Sequence, residues 1–261
     1  ERYGVTLTEE RQAEVQLRSA AAMLRAIHAV DAAPLTTPRS NEVKLVGNCR
    51  DFSVLTVALL RYAGIPARAR CGFGAYFRDD TMKYIDHWVL EYWSAEAARW
   101  VLVDAQLDGL QQEALRLDFD PLDVPHDRFI TGGAAWQMAR SGEEDPDQFG
   151  IFDMSGLWFI RGDMVRDLAA LNNLPLLPWD GWGIMLKHEQ DYTAADWALL
   201  DRVAELTGPD TRTFDAYRAL YANDERLRVP PTITSWVGAE AQQITLADVT
   251  EPLPPARTMM G

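Results

Sequence analysis

The chain has 261 residues, 48% of them hydrophobic and 25% charged, which is enough apolar material to bury a sizeable core. Its 39 acidic against 25 basic residues give a formal net charge of −14, and without a basic stripe nucleic acid and anionic membrane surfaces are poor partners. No apolar run approaches the roughly 20 residues that cross a bilayer, and two cysteines, Cys49 and Cys71, are too few for a disulfide framework or a structural zinc site.

Residues 8–30 read as one amphipathic helix, with Val15, Leu17, Ala20, Leu24 and Ile27 at helical spacing. Residues 31–40, with Pro34 and Pro38, read as a linker. Residues 47–63 are apolar over much of a helical circumference and stop at Gly64 and Pro66, the pattern of a buried helix. Three strand-like runs follow, at 67–77, 86–93 and 100–105, and are expected to form one antiparallel sheet. In the first, Arg68 and Arg70 alternate with Ala69, Cys71 and Phe73. Beyond Leu107 come acidic and proline-rich loops, with helical patterns at 163–171, 194–206 and 214–221. Thr193 and Asp196 have the spacing of a capping box, and Gly208 with Pro209 closes that helix. Residues 251–261 contain three prolines and no apolar period, and read as a mobile tail. The domain reading is therefore a packing helix and linker (1–40), a catalytic core (41–108), a mostly helical extension (109–250) and the tail. The first residue is Glu1, which leaves a removed leading segment open. The expected location is cytoplasmic.

Cys49 stands at the start of the buried helix, where Asn48 can cap the free backbone N–H groups and Asp51 occupies the third helical position. A helix N-terminus favours thiolate over thiol, the cation of Arg50 adds to this, and the same N–H groups can receive an oxyanion. Taken alone, Cys49 is equally well a small buried apolar residue. Its partners decide. If residues 94–97 form a four-residue hairpin loop, His87 falls directly opposite Asp104, and opposed residues share a face. Asp86 neighbours His87 and points the other way. Should the His87 face of the sheet pack against the start of the Cys49 helix, Cys49, His87 and Asp104 form a nucleophile, base and orienting carboxylate.

These residues resemble the transglutaminase-like superfamily. Gly47-Asn48-Cys49-Arg50-Asp51-Phe52-Ser53 and Leu59-Leu60-Arg61-Tyr62-Ala63-Gly64-Ile65-Pro66-Ala67-Arg68 look like that family's nucleophile helix and its exit. Asp86-His87-Trp88-Val89-Leu90-Glu91-Tyr92-Trp93 and Trp100-Val101-Leu102-Val103-Asp104 look like its histidine and aspartate strands, with separations of 38 and 17 residues. The resemblance covers residues 41–108 and departs from the family pattern where Trp88 directly follows the histidine and Ala105-Gln106 follows the aspartate. It implies an α+β, papain-like fold and a thioester acyl-enzyme that transfers acyl groups or processes amides. A peptidase or amidase and a catalytically idle binding module are the alternatives. The substrate is then a peptide or small molecule with an amide, ester or thioester, and no metal or organic cofactor is called for.

Trp88, Trp179 and Trp182 are candidate substrate-binding residues. The last two lie in Leu174-Pro175-Leu176-Leu177-Pro178-Trp179-Asp180-Gly181-Trp182-Gly183, where prolines and glycines preclude a regular helix. Residues 158–185 are accordingly expected to cover the active site and exclude water. Other motifs carry less. His188 with Glu189 lacks the second histidine of a metalloprotease helix, and residues 143–147 lack calcium-loop spacing. Gly72-Phe73-Gly74 is no phosphate loop, and Cys71 reads as a buried packing residue.

Overall fold

The helix expected over residues 8–30 is broken in two in the computed structural model, which describes residues 3–77, 81–209, 214–238 and 240–246. Helix α1 (Glu9–Gln12) and a 3-10 turn (Ala13–Gln16) precede α2 (Ala20–Val30). The chain is reset at Ser19, whose extended backbone and side chain, accepting from Ala22 N–H at 3.1 Å, start a fresh helix. The break leaves the carbonyls of Leu17 and Arg18 free for another donor.

Helix α3 (Cys49–Tyr62) has an amphipathic rather than a wholly buried circumference. Arg50, Ser53, Val54 and Val57 are buried, whereas Phe52, Leu59 and Tyr62 are exposed. Gly64 follows it with φ +79°, a left-handed conformation that suits glycine.

Strands β1 (Ala67–Gly74), β2 (Tyr84–Ser94) and β3 (Arg99–Val103) form the expected antiparallel set, with β2 between the other two. Every β1 position is buried. Ala67, Ala69 and Cys71 join Trp88, Leu90, Val101, Val103 and Val57 of α3 in one apolar cluster. The intervening arginines are also enclosed: Arg70 bonds Glu91 at 2.9 Å and holds Asp167 through two bonds at 3.0 and 2.9 Å. Burial opposes the charge on Arg70, but Asp167 and Glu91 outweigh it and raise its pKa. A buried cation persists only with such partners.

The second half contains α4 (Gly109–Leu115), α5 (Gly132–Ser141), α6 (Leu157–Leu171), α7 (Ala194–Thr207) and α8 (Phe214–Asn223). The capping box of Thr193 and Asp196 is present on α7. This half is more than a helical extension, however. β4 (Phe129–Thr131) pairs with β1, β5 (Phe149–Ile151) runs parallel to the start of β2, and β6 (Met154–Ser155) returns against β5. β7 (Asp180–Gly181), β8 (Thr232–Val237) and β9 (Glu240–Thr245) make a second sheet. Pairing of β4 needs Gly72, because a Cβ there would lie 2.2 Å from the Ile130 carbonyl oxygen. Nearly all of α6 is buried, and Ile160, Met164, Val165 and Leu168 sit fully inside the largest core. Each such side chain contributes about 1.5–3 kcal/mol by leaving water. The tail at 251–261 lies outside the described residues. Among the described residues no helix is long and apolar enough to cross a membrane.

Candidate functional site

Asn48 opens α3 with a reciprocal cap. Its Oδ1 accepts from Arg50 N–H at 3.0 Å, and its own N–H donates to Asp51 Oδ2 at 3.0 Å. The Asn48 carbonyl takes the N–H groups of Asp51 and Phe52. Of the four first-turn donors, the Cys49 N–H is thus the one without a partner among the described residues. The Cys49 side chain is partly buried.

The Arg50 guanidinium, expected to act on the thiol, is occupied elsewhere. It is fully buried and donates to the carbonyls of Leu17, Arg18 and Pro175 and to Asp51 Oδ1. Its work is to tie the break between α1 and α2, and the segment after α6, to the first turn of α3.

His87 is 3% exposed and Asp104 2%, and His87 Nε2 lies 2.7 Å from Asp104 Oδ2. The hairpin reaches this contact by a different register from the one expected. Leu90 pairs with Val103, Trp93 with Trp100 and Ser94 with Arg99, which moves the loop to residues 95–98 and shifts the pairing by two. A two-residue slip preserves which face each side chain takes, so Asp104, just past the end of β3, meets His87 diagonally. The backbone there is held by Asp104 N–H to the Pro121 carbonyl at 2.8 Å.

The sheet face beneath α3 also differs from the expectation. It is the apolar set of Trp88, Leu90, Val101 and Val103, the positions that alternate with His87, because a helix body needs an apolar floor. From the first turn of α3, the Cys49 sulfur is still near enough to the His87 ring to favour its charged form. Burial opposes a charged ring, yet Asp104 and then Cys49 outweigh it, and the His87 pKa is pushed up to about 10. For Asp104, burial works against ionisation, but His87 and the hydrogen bonds from Tyr76 and Gln106 hold the carboxyl below its ordinary value. Nε2 being taken by Asp104, Nδ1 is the ring nitrogen left for a sulfur.

Tyr76 is a member of this group that sequence reasoning passed over. Its hydroxyl donates to Asp104 Oδ2 at 2.7 Å. Nothing in the pattern of residues 67–77 marks it, since its reach depends on the turn that follows β1.

The three tryptophans proposed for substrate are placed otherwise. Trp88 is 0% exposed within the cluster under α3. Trp182 is 1% exposed in the largest core, with Nε1 donating to the Leu227 carbonyl at 2.9 Å. Trp179 is partly buried and donates to Gln16 Oε1 at 3.1 Å. Residues 158–185 are accordingly fixed in the body of the fold. Their first part is the central helix α6, and the rest is fastened to the N-terminal arm, where Arg18 grips the buried Asp180 at 2.9 and 2.7 Å. A cavity of about 240 Å³ beside α3, lined by residues including Val54, Val57, Ala58, Ala170 and Leu176, has none of Cys49, His87 or Asp104 in its wall.

Among the described residues, Cys71, Asp86 and Asp163 bring possible metal-ligand atoms within 4.8 Å of one another. The set already contains a cation, since Arg166 donates to Asp163 at 3.0 Å. Burial, then the neighbouring Asp86 charge, raises Asp163 well above the carboxylate range, and burial lifts Asp86 to about 6. Two buried carboxyls so placed hold a proton between them rather than ionising together.

Residues 11–105 match the family model of the transglutaminase-like superfamily. The match begins well before residue 41, where the resemblance starts, and takes in α2. Comparison with curated proteins finds no match, and neither does comparison with solved structures. The segment that carries Cys49, His87 and Asp104 is therefore similar to the core of that superfamily, whose members are typically cysteine enzymes.

Proposed function

We propose that the chain is a cysteine acyltransferase or amide-processing enzyme working through a thioester, with Cys49 as nucleophile, His87 as base and Asp104 as the group that orients the base. One observation carries this reading: His87 stands between a carboxylate 2.7 Å away and the Cys49 sulfur, which together push its pKa up to about 10. Such a ring is placed to take the thiol proton and to return it to a departing group. The helix N-terminal cysteine facing a sheet-borne histidine is the papain-like arrangement that this reading includes.

In the first half-reaction the sulfur attacks a carbonyl carbon, and the developing oxyanion is received by the Cys49 N–H. The C–N bond of an amide then breaks, or the C–O or C–S bond of an ester or thioester. His87 gives its proton to the departing group, leaving an acyl thioester. In the second half an amine or water attacks that thioester, His87 takes the attacker's proton, and the sulfur leaves as thiolate. Asp104 stays ionised and keeps the ring oriented. Both acceptors use the same residues, so their ratio, read with hydroxylamine competing against water, separates transferase from hydrolase.

Incubation with a panel of esters, thioesters and amides, followed by intact-mass and peptide analysis, tests the proposal. The expected result is an acyl adduct on Cys49 that hydroxylamine removes and that Cys49→Ala lacks. Turnover that survives in Cys49→Ala would overturn it.

A further inference from the structure

Asp104 is held by three donors. Oδ1 accepts Gln106 N–H at 3.0 Å, and Oδ2 accepts both His87 Nε2 and the Tyr76 hydroxyl, each at 2.7 Å. An Oδ2 shared by two donors cannot turn toward one without loosening the other. Tyr76 also walls the ring. Its centroid is 5.9 Å from that of His87 at 84°, Phe77 stands 4.7 Å from His87, and Phe119 packs on Tyr76 at 5.3 Å. These rings help exclude water from the bond between Asp104 and His87, which strengthens it. The charges that act on His87 are Asp104 from the end of β3 and Cys49 from α3. The neighbouring Asp86 on β2 also interacts with it, whereas the loop bearing Phe119 packs an apolar ring on Tyr76.

We propose that Tyr76 is a positioning residue of the triad, whose hydroxyl fixes the Asp104 carboxylate and draws off part of its charge, so setting both the angle and the basicity of His87. The proposal rests on the triad reading. Burial, then Asp104, raises the Tyr76 hydroxyl well above its ordinary pKa, so it remains a donor throughout the working range. Without it, Oδ2 keeps one donor and more charge faces Nε2. The imidazolium is then held more tightly while the ring is held less squarely.

The test uses the full chain, with ¹⁵N-labelled imidazoles followed by NMR against pH, and steady-state kinetics alongside. Tyr76→Phe keeps the ring and removes the hydroxyl. It is expected to lower kcat by about tenfold with KM unchanged, to shift the His87 midpoint upward, and to leave the melting temperature close to that of the parent. Site-specific 3-fluorotyrosine at position 76, a stronger donor, is expected to move the midpoint downward, which a purely structural role would not do. An elevated parental midpoint that neither variant moves would overturn the role of Tyr76 and leave the triad standing. A parental midpoint near 6.5 would overturn the triad reading together with it.

Discussion

Adjacent residues of β2 serve two cysteine and carboxylate groups that differ in what shares the thiol proton. On one side His87 stands with Cys49 and Asp104; on the other Asp86 stands with Cys71 and Asp163. Cys49 is partly exposed and has an imidazole to take its proton, whereas Cys71 is 0% exposed and has only carboxyls. Burial, then the charges of Asp163 and Asp86, pushes the Cys71 thiol well above its ordinary value. Sulfur and carboxylate are common to both sides, so the side proposed to react is distinguished by the ring between them and by access.

Exchanging the carboxylates is the most severe way to break this comparison. Asp104→Asn is expected to lower kcat by about 10³-fold or more, since an amide favours the wrong imidazole tautomer, while Asp86→Asn stays within about threefold of the parent. Comparable losses from both, at unchanged circular dichroism, would erase the distinction. Alkylation gives a second view: iodoacetamide should modify Cys49 at least about 100-fold faster than Cys71 in the folded protein, with the difference lost in denaturant. Peptide mapping over time measures both rates. Equal rates in the folded state would contradict the burial of Cys71.

The smallest effect concerns stability. The folded-state pKa of Asp86, about 6, lies above the ordinary 3.8, so the folded form binds this proton more tightly than the unfolded chain. The stabilisation from this proton is full below the unfolded value and is lost as pH rises through about 6. Asp86→Asn has no such loss. Relative to the parent, it should therefore gain about 1 kcal/mol between pH 5 and pH 8, or about 2–4 °C in Tm. His87 titrates far above this window, at about 10. Parallel melting curves at the two pH values check the sign, and a Tm difference that does not change with pH would remove the shared proton.

The helix that starts at Cys49 was legible because Asn48, Cys49 and Asp51 make a local cap, and the three main strands because their apolar runs are long enough to show. Asp104 was legible in kind but not in register. The hairpin loop has no glycine to mark it, and its left-handed position falls on Ala98, φ +51°, so the two-residue slip could not be read. The strands Phe129–Thr131 and Phe149–Ile151 are too short to carry a period, and their partners lie far away in sequence. The aromatic segment around Trp179 and Trp182 looked like a cover because its prolines excluded helix, but what decides its place is the grip of Arg18 on Asp180, across 162 residues.

The Arg50 clamp bears on how far the chain can be divided. Its carbonyl acceptors, on Leu17, Arg18 and Pro175, lie outside residues 41–108, although that stretch contains all three residues of the proposed triad. A fragment cut to those limits would keep the proposed triad in its sequence and leave a buried guanidinium, one residue from Cys49, with Asp51 alone among its acceptors. Supplying the missing acceptors on separate polypeptides would amount to rebuilding the first turn of the Cys49 helix, so Arg50 marks the seam along which a split version of this protein could be made to depend on its other half.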